Sequence, residues 1–202
     1  MRRVELRALA FASVCLLSGC TAIPDGPGTM AGGRAVTTSE VGGYQNNIDL
    51  QGRLSVRYQR NGKEEGLHGN FEWHQRGQDI DLALRSPLGQ TLAQIAVRNG
   101  HAQLSQSGQP IKTARDVDSL VTDTLGWPLP IAGLHQWLQG QGKRSDGSRF
   151  VASQQFDSVT TQDGWRLRYV SWHDDGKPKR IDLERNTVEA GEVGLKLVLD
   201  AQ

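Results

Sequence analysis

Residues 50–62, Leu-Gln-Gly-Arg-Leu-Ser-Val-Arg-Tyr-Gln-Arg-Asn-Gly, decide the fold. Leu50, Leu54, Val56 and Tyr58 have equal parity, so an extended chain puts them on one face and leaves the other face wet. Asn61-Gly62 is a tight hairpin signal, because both residues tolerate the positive φ that a two-residue turn demands. The same pattern continues downstream. Leu67, Phe71 and Trp73 share a face of the next strand, with Gly69 between them, and Arg76-Gly77 turns the chain. Ile80, Leu82 and Leu84 line a third strand, which Ser86-Pro87-Leu88-Gly89 breaks. Ala93, Ile95 and Val97 line a fourth, Asn99-Gly100 turns again, and Ala102 and Leu104 begin a fifth. This is an antiparallel meander with one apolar and one polar face.

Beyond Leu104 the period changes. Val117, Leu120, Val121 and Leu125 fall on one helical stripe, and Thr113 and Asp116 have capping-box spacing. Gly126 and Pro128 end that helix. Pro130 opens a second, whose apolar face is Ile131, Leu134, Trp137 and Leu138 and which Gly140 stops. Alternation then resumes in Trp165, Leu167 and Tyr169, in Ile181 and Leu183 after the Asp175-Gly176 turn, and in Val193, Leu195, Leu197 and Leu199. The expected class is α+β: a long, strongly curled antiparallel sheet with helices on its concave side. Such a sheet closes only partly and leaves a cavity lined by side chains.

The N-terminus reads as an export signal. Arg2, Arg3 and Arg7 precede an apolar run from Leu9 to Leu17, which is shorter than the roughly 20 residues that span a bilayer. Leu17-Ser18-Gly19-Cys20 closes it and resembles a bacterial lipobox, whose cysteine is lipidated and becomes the new N-terminus; the bland alternative is an ordinary signal with a chance cysteine. The chain has two cysteines, and Cys15 leaves with the signal, so Cys20 has no disulfide partner within the mature molecule; lipidation gives that lone thiol a reason. Residues 21–43 hold Pro24, Pro27 and six glycines with little apolar content, a tether composition. The expected organisation is a signal over 1–19, a lipidated N-terminus and tether over 20–43, and one domain over 44–202.

Charge excludes some partners. The chain carries 23 basic and 22 acidic residues, and the signal removes three Arg and Glu5, leaving near balance. No basic footprint for nucleic acid or polybasic patch for anionic lipid is present. The mean hydropathy of −0.49 suits a soluble outer surface. No Gly-x-Ser-x-Gly elbow, His-Glu-x-x-His helix or Cys-x-x-Cys pair occurs, and no phosphate-binding glycine loop with a lysine. His68 and His74 share one strand face, as do Asp79 and Asp81. Both pairs read better as solvated strand residues than as a metal site or an acid–base couple. No enzyme activity, cofactor or metal is expected.

Two features remain. In Ser86-Pro87-Leu88-Gly89 the residue types suit a type I turn, which puts Leu88 near a hairpin tip, either folded back on the sheet or exposed to lipid or a partner. Gly126-Trp127-Pro128-Leu129-Pro130 reads as a tight helix–helix turn with a core tryptophan.

Taken together, the lipobox at Cys20, Gly52-Arg53-Leu54-Ser55-Val56, Phe71-Glu72-Trp73, the stretch from Leu84 to Gly89, Gly-Trp-Pro-Leu-Pro at 126–130 and the stretch from Leu134 to Gly140 resemble the LolB family of outer-membrane lipoprotein receptors. Ser86 stands where the family carries Asn, and both suit that turn position. The resemblance implies a half-open β-barrel covered by helices, an apolar cavity for acyl chains, and a loop of Pro87, Leu88 and Gly89 that delivers bound lipoproteins into the outer membrane. It implies a LolA-like periplasmic carrier as partner, action as a monomer, and no need for nucleotide. Thr21, rather than Asp, after the lipidated cysteine suits an outer-membrane address. The side chains expected to line the cavity are Leu54, Val56, Phe71, Trp73, Leu82, Leu84, Ile95, Leu134 and Trp137. The rival readings are a structural or assembly lipoprotein that binds a partner protein and holds no lipid, and, less favoured, an outer-membrane hydrolase.

Overall fold

A computed structural model describes residues 43–126 and 129–202. The signal, Cys20, Thr21, the tether as far as residue 42, Trp127 and Pro128 lie outside the described residues. The elements in chain order are β1 (Asn47–Arg60), β2 (Lys63–Arg76), β3 (Asp79–Arg85), β4 (Thr91–Arg98), β5 (His101–Gln106), β6 (Lys112–Ala114), α1 (Val117–Leu125), α2 (Ile131–Trp137), β7 (Gln141–Lys143), β8 (Arg149–Val151), β9 (Ser158–Thr160), β10 (Arg166–Trp172), β11 (Pro178–Thr187) and β12 (Gly191–Leu199).

Ten strands form one antiparallel sheet in the order β6-β5-β4-β3-β2-β1-β12-β11-β10-β9, and β7 and β8 form a separate hairpin. The long β1–β2 hairpin turns at Asn61-Gly62, with φ of 53° and 72°, and Asn99-Gly100 repeats the device between β4 and β5 at 50° and 78°. Register carries the hydrophobic parity across the sheet. Leu50, Trp73, Leu82, Ile95 and Leu104 stand opposite one another in a row over five strands. A one-residue slip would turn that whole row to solvent, so the pattern itself fixes the pairing.

The sheet does not close into a barrel. Its two margins, β6 and β9, pair on one side only among the described residues, so the expected half-open barrel is realised as an open sheet. Both helices lie on its inner face. α1 packs against β5 and β6, and α2 against α1 and β7. Val117, Leu120, Val121, Ile131, Leu134, Trp137 and Leu138 join the side chains of the inner face in one core.

Two local expectations are corrected. Thr113 does not open a capping box: it sits in β6, paired with Gln103, and Asp116 itself caps α1 by accepting from the Ser119 amide at 2.7 Å. Leu125, at the end of the stripe, is 42% exposed, because Gly126 terminates α1 at φ 80° just beyond it. The short strands β6, β7, β8 and β9 carry too little alternation to be read in advance.

Candidate functional site

Two parts of the molecule carry the expected site: the tip between β3 and β4, and the inner face.

The tip is held by backbone. The Gly89 amide donates to the Ser86 carbonyl at 2.9 Å, the Ser86 amide to the Gln90 carbonyl at 2.8 Å, and the Gln90 amide to Ser86 Oγ at 3.2 Å. Gly89 has φ +84°, a conformation that a side chain there would strain. Register shifts between Leu84 and Arg85, just before the tip, and the chain bends there. Gly69 on β2 makes room for the bend: a Cβ at that position would lie 2.3 Å from the Arg85 carbonyl oxygen. Arg85 braces the outer side, pairing with Glu72 at 3.0 Å and donating to Thr91 Oγ1 at 3.1 Å. The hydrogen bond from Arg85 holds the Glu72 carboxyl below its ordinary value, and Glu72 in turn raises Arg85. Pro87, Leu88 and Gly89 project beyond this brace, and Leu88 is 90% exposed.

The inner face is filled. Phe71, Trp73, Leu82, Ile95, Val56, Leu134 and Trp137 are all buried, and Leu54 and Leu84 are half-buried against them. All the side chains expected to line a cavity therefore meet on one face, but they pack against one another. Trp137 shows how tightly: a Cβ on Gly133 would lie 2.6 Å from its ring, and one on Gly142 3.1 Å. Tyr169 donates from its hydroxyl to the Trp137 carbonyl at 3.1 Å, and burial pushes its phenol well above the usual range.

The open spaces lie elsewhere. A cavity of about 270 Å³ opens at the opposite pole, lined by Gly43, Ile48, Leu50, Leu138, His173 and Leu199 among others, and none of the nine expected residues borders it. A groove on the outer face touches Leu82 and Ile95 but is otherwise bordered largely by polar groups, including Glu72, His74, Asp81 and Arg85.

Sequence reasoning missed Gln75. It is fully buried at the inner-face parity of β2, accepts from Trp73 Nε1 at 3.4 Å and donates to the Tyr44 hydroxyl at 2.9 Å and the Gly77 carbonyl at 3.2 Å. Its parity with Phe71 and Trp73 was the available signal, obscured by its polarity. The carboxylate and histidine pairs are parted into separate contacts. His74 meets Asp49 at 2.7 Å, Asp81 pairs with Arg98 at 2.6 Å, and Asp79 accepts from the Asn99 amide at 3.2 Å. Among the described residues no group of three or more His, Cys, Asp or Glu is placed to hold a metal ion, and no helix is long and apolar enough to cross a membrane.

This arrangement has relatives. The family model "Outer membrane lipoprotein LolB" matches residues 46–201. An outer-membrane lipoprotein LolB of Cupriavidus necator is 39% identical over 152 residues, covering 74% of this chain and 77% of the relative. That of Cupriavidus pinatubonensis is 34% identical over 214 residues, covering 100% of this chain and 96% of its own length. A crystal structure of a LolA superfamily protein from Nitrosomonas europaea aligns over 81% of this chain and 88% of its own with a TM-score of 0.42 and 11% identity. With a family match spanning nearly all of the described domain, and relatives that align over most of both chains, the chain belongs to the LolB family of outer-membrane lipoproteins.

Proposed function

We propose that this outer-membrane lipoprotein accepts acylated lipoproteins from a LolA-like periplasmic carrier and passes them into the outer membrane without nucleotide. The observation that carries the reading is Leu88, 90% exposed on a tip braced by Arg85 and Glu72. On this braced tip the aliphatic side chain does nothing for folding, and with Leu92 exposed beside it, it supports a contact with something apolar.

The energetics suit the task. Each cargo methylene exposed to water costs about 0.8 kcal/mol, so transfer must proceed from one apolar environment to another. A difference of about 1.4 kcal/mol between carrier and receptor already biases the exchange tenfold, and entry into the bilayer is downhill for the same reason. In this chain the apolar environment is the inner face under α1 and α2. Because its own side chains fill it, acyl chains enter by loosening the core that α1 and α2 share with the inner face of the sheet. The pocket is therefore made by uptake rather than held open. Cys20 supplies the lipid anchor, and the protein's own groups need no acid–base chemistry.

The test is to mix the protein with a carrier loaded with a lipoprotein, in the absence of nucleotide. Cargo should pass to the protein and then to added phospholipid vesicles. Cargo that stays on the carrier overturns the reading. The filled inner face favours a second reading, a structural lipoprotein that binds a partner protein and no lipid. That reading predicts no capture of an acylated peptide at any concentration.

A further inference from the structure

The tip between β3 and β4 has a neighbour of the same make. Ala93 on β4 stands opposite both Leu84 on β3 and Gln106 on β5. The loops 86–90 and 107–111 therefore leave the sheet beyond one shared row, two strand spacings or about 10 Å apart. The first reads Ser-Pro-Leu-Gly-Gln and the second Ser-Gly-Gln-Pro-Ile. Each holds one proline followed directly by one aliphatic residue, and neither contains a charge. Leu88 is 90% and Ile111 59% exposed. Proline fixes its own φ, so each aliphatic side chain is carried on a stiffened backbone. Three half-exposed leucines surround the two tips. Leu67 lies on β2 beyond the row that Arg85 ends, Leu92 opens β4, and Leu125 ends α1 next to Thr124, whose Oγ1 is 3.5 Å from Lys112 Nζ at the start of β6. The hairpins of the opposite pole, Arg98-Asn99-Gly100-His101 and Asp174-Asp175-Gly176-Lys177, are charged, and so is the β1–β2 turn Arg60-Asn61-Gly62-Lys63, which runs past the level of the tips, so the uncharged surface is confined to the two loops.

We propose that Ile111 is a second membrane prong beside Leu88, so that this pole meets a phospholipid surface with two uncharged tips at once. The proposal rests on the receptor reading above and adds a residue to it. A lipid surface is the partner these tips fit, because an uncharged tip enters the headgroup region without stripping water from an ion. Chain length permits the contact. Gly43 borders the cavity at the far pole, and register sets Arg85, where the first tip begins, level with Arg53, six residues or about 20 Å along β1 from its start. The stretch from Cys20 to Gly43 reaches roughly 80 Å when fully extended. A chain anchored at Cys20 can therefore bring the two tips to the membrane that holds it.

The experiment uses the full mature lipidated chain in vesicles of phosphatidylethanolamine and phosphatidylglycerol that contain acyl-chain nitroxide lipids. An environment-sensitive fluorophore is placed in turn at Leu88→Cys, Ile111→Cys and His101→Cys. Quenching at positions 88 and 111 but not at 101 is the expected result. Quenching at 88 alone overturns the second prong and leaves the receptor reading standing. Quenching at neither overturns the lipid contact of the whole pole, Leu88 included, whereas the receptor's uptake step is read separately by carrier hand-over. With Ile111→Ser, the ratio of membrane insertion to uptake should fall about tenfold, equivalent to about 1.4 kcal/mol. An unchanged ratio overturns the proposal.

Discussion

Replacing Trp137 with Ala tests how the inner face is closed. The indole is only 5% exposed and lies against Gly133 of α2 and Gly142 of β7. Truncation removes the ring and leaves the slot, and neither glycine has a side chain that can fall into it. Large-to-small changes in a core cost about 3–5 kcal/mol, most where the site cannot collapse, so the loss should reach about 4 kcal/mol. With a urea slope of about 2 kcal/mol/M, the unfolding midpoint should fall by about 2 M. The Tyr169 hydrogen bond goes to the backbone carbonyl of residue 137 and survives the change. An apolar void of this kind stays dry and takes up apolar guests. A fluorescent acylated peptide should therefore bind the variant more tightly than the parent, because part of the displacement has already been made. The assays are urea denaturation followed by tryptophan fluorescence, and peptide titration by anisotropy. A stability loss under about 1 kcal/mol would show that the slot collapses or was never tightly filled, and would refute the reasoning.

Three other changes address separate parts of the molecule. Leu88→Glu should leave stability within about 0.5 kcal/mol of the parent, since the side chain touches nothing in the fold; cargo uptake should persist while cargo flotation with vesicles is lost, and normal flotation would remove the tip's assigned role. Gly69→Ala sets a Cβ 2.3 Å from the Arg85 carbonyl, so the β3 bend must shift; a loss of about 1–3 kcal/mol in thermal or urea unfolding is expected, with insertion impaired more than uptake. Asp118, in the first turn of α1, is partly buried, and its carboxylate reaches the start of α2, where it accepts from the Ala132 amide at 3.0 Å. Burial pushes its carboxyl above the ordinary value although the amide bond pulls the other way. A carboxyl with a raised folded-state value costs stability as pH climbs from its unfolded value, about 3.9, through its folded one. Asp118→Asn should therefore be more stable than the parent at pH 7, with the gap closing below about pH 4 in denaturation curves run across pH; a gap that widens in acid would reverse the sign of this argument.

The sheet was legible because strand parity and Asn-Gly turns are local. Leu50, Trp73, Leu82, Ile95 and Leu104 declare their common face from spacing alone, and Asn61-Gly62 and Asn99-Gly100 set the register that aligns them. The exposed tip was half legible: the turn chemistry of Ser86 to Gly89 could be read, but whether Leu88 folds back depends on the bend at Arg85, which Gly69 permits from another strand. The filling of the inner face was not legible. Periodicity tells which side chains face inward and not how closely they are packed, and around Trp137 that packing depends on Gly133 and Gly142, which contribute no hydrophobic signal. Gln75 escaped for the related reason that a polar residue at an inward position is satisfied by partners that leave no periodic trace, two of them two residues away and one, Tyr44, far along the chain. The hairpin of β7 and β8 has three-residue strands, held by Phe150 stacked on Tyr169 with centroids 6.0 Å apart, a contact with no periodic trace.

A sheet that ends instead of closing offers its margins to any passing strand, and a protein kept at high local density on a membrane is exposed to that hazard. Here both margins are stubs: β6 is Lys112-Thr113-Ala114 and β9 is Ser158-Val159-Thr160. Each gives a foreign chain only three residues to zip against, and one begins with a lysine, a residue that natural edges use to repel such pairing. The longer strands lie inside the sheet order, and β2 is paired on both sides over Asn70–Arg76, so that part of them is closed to a neighbouring copy.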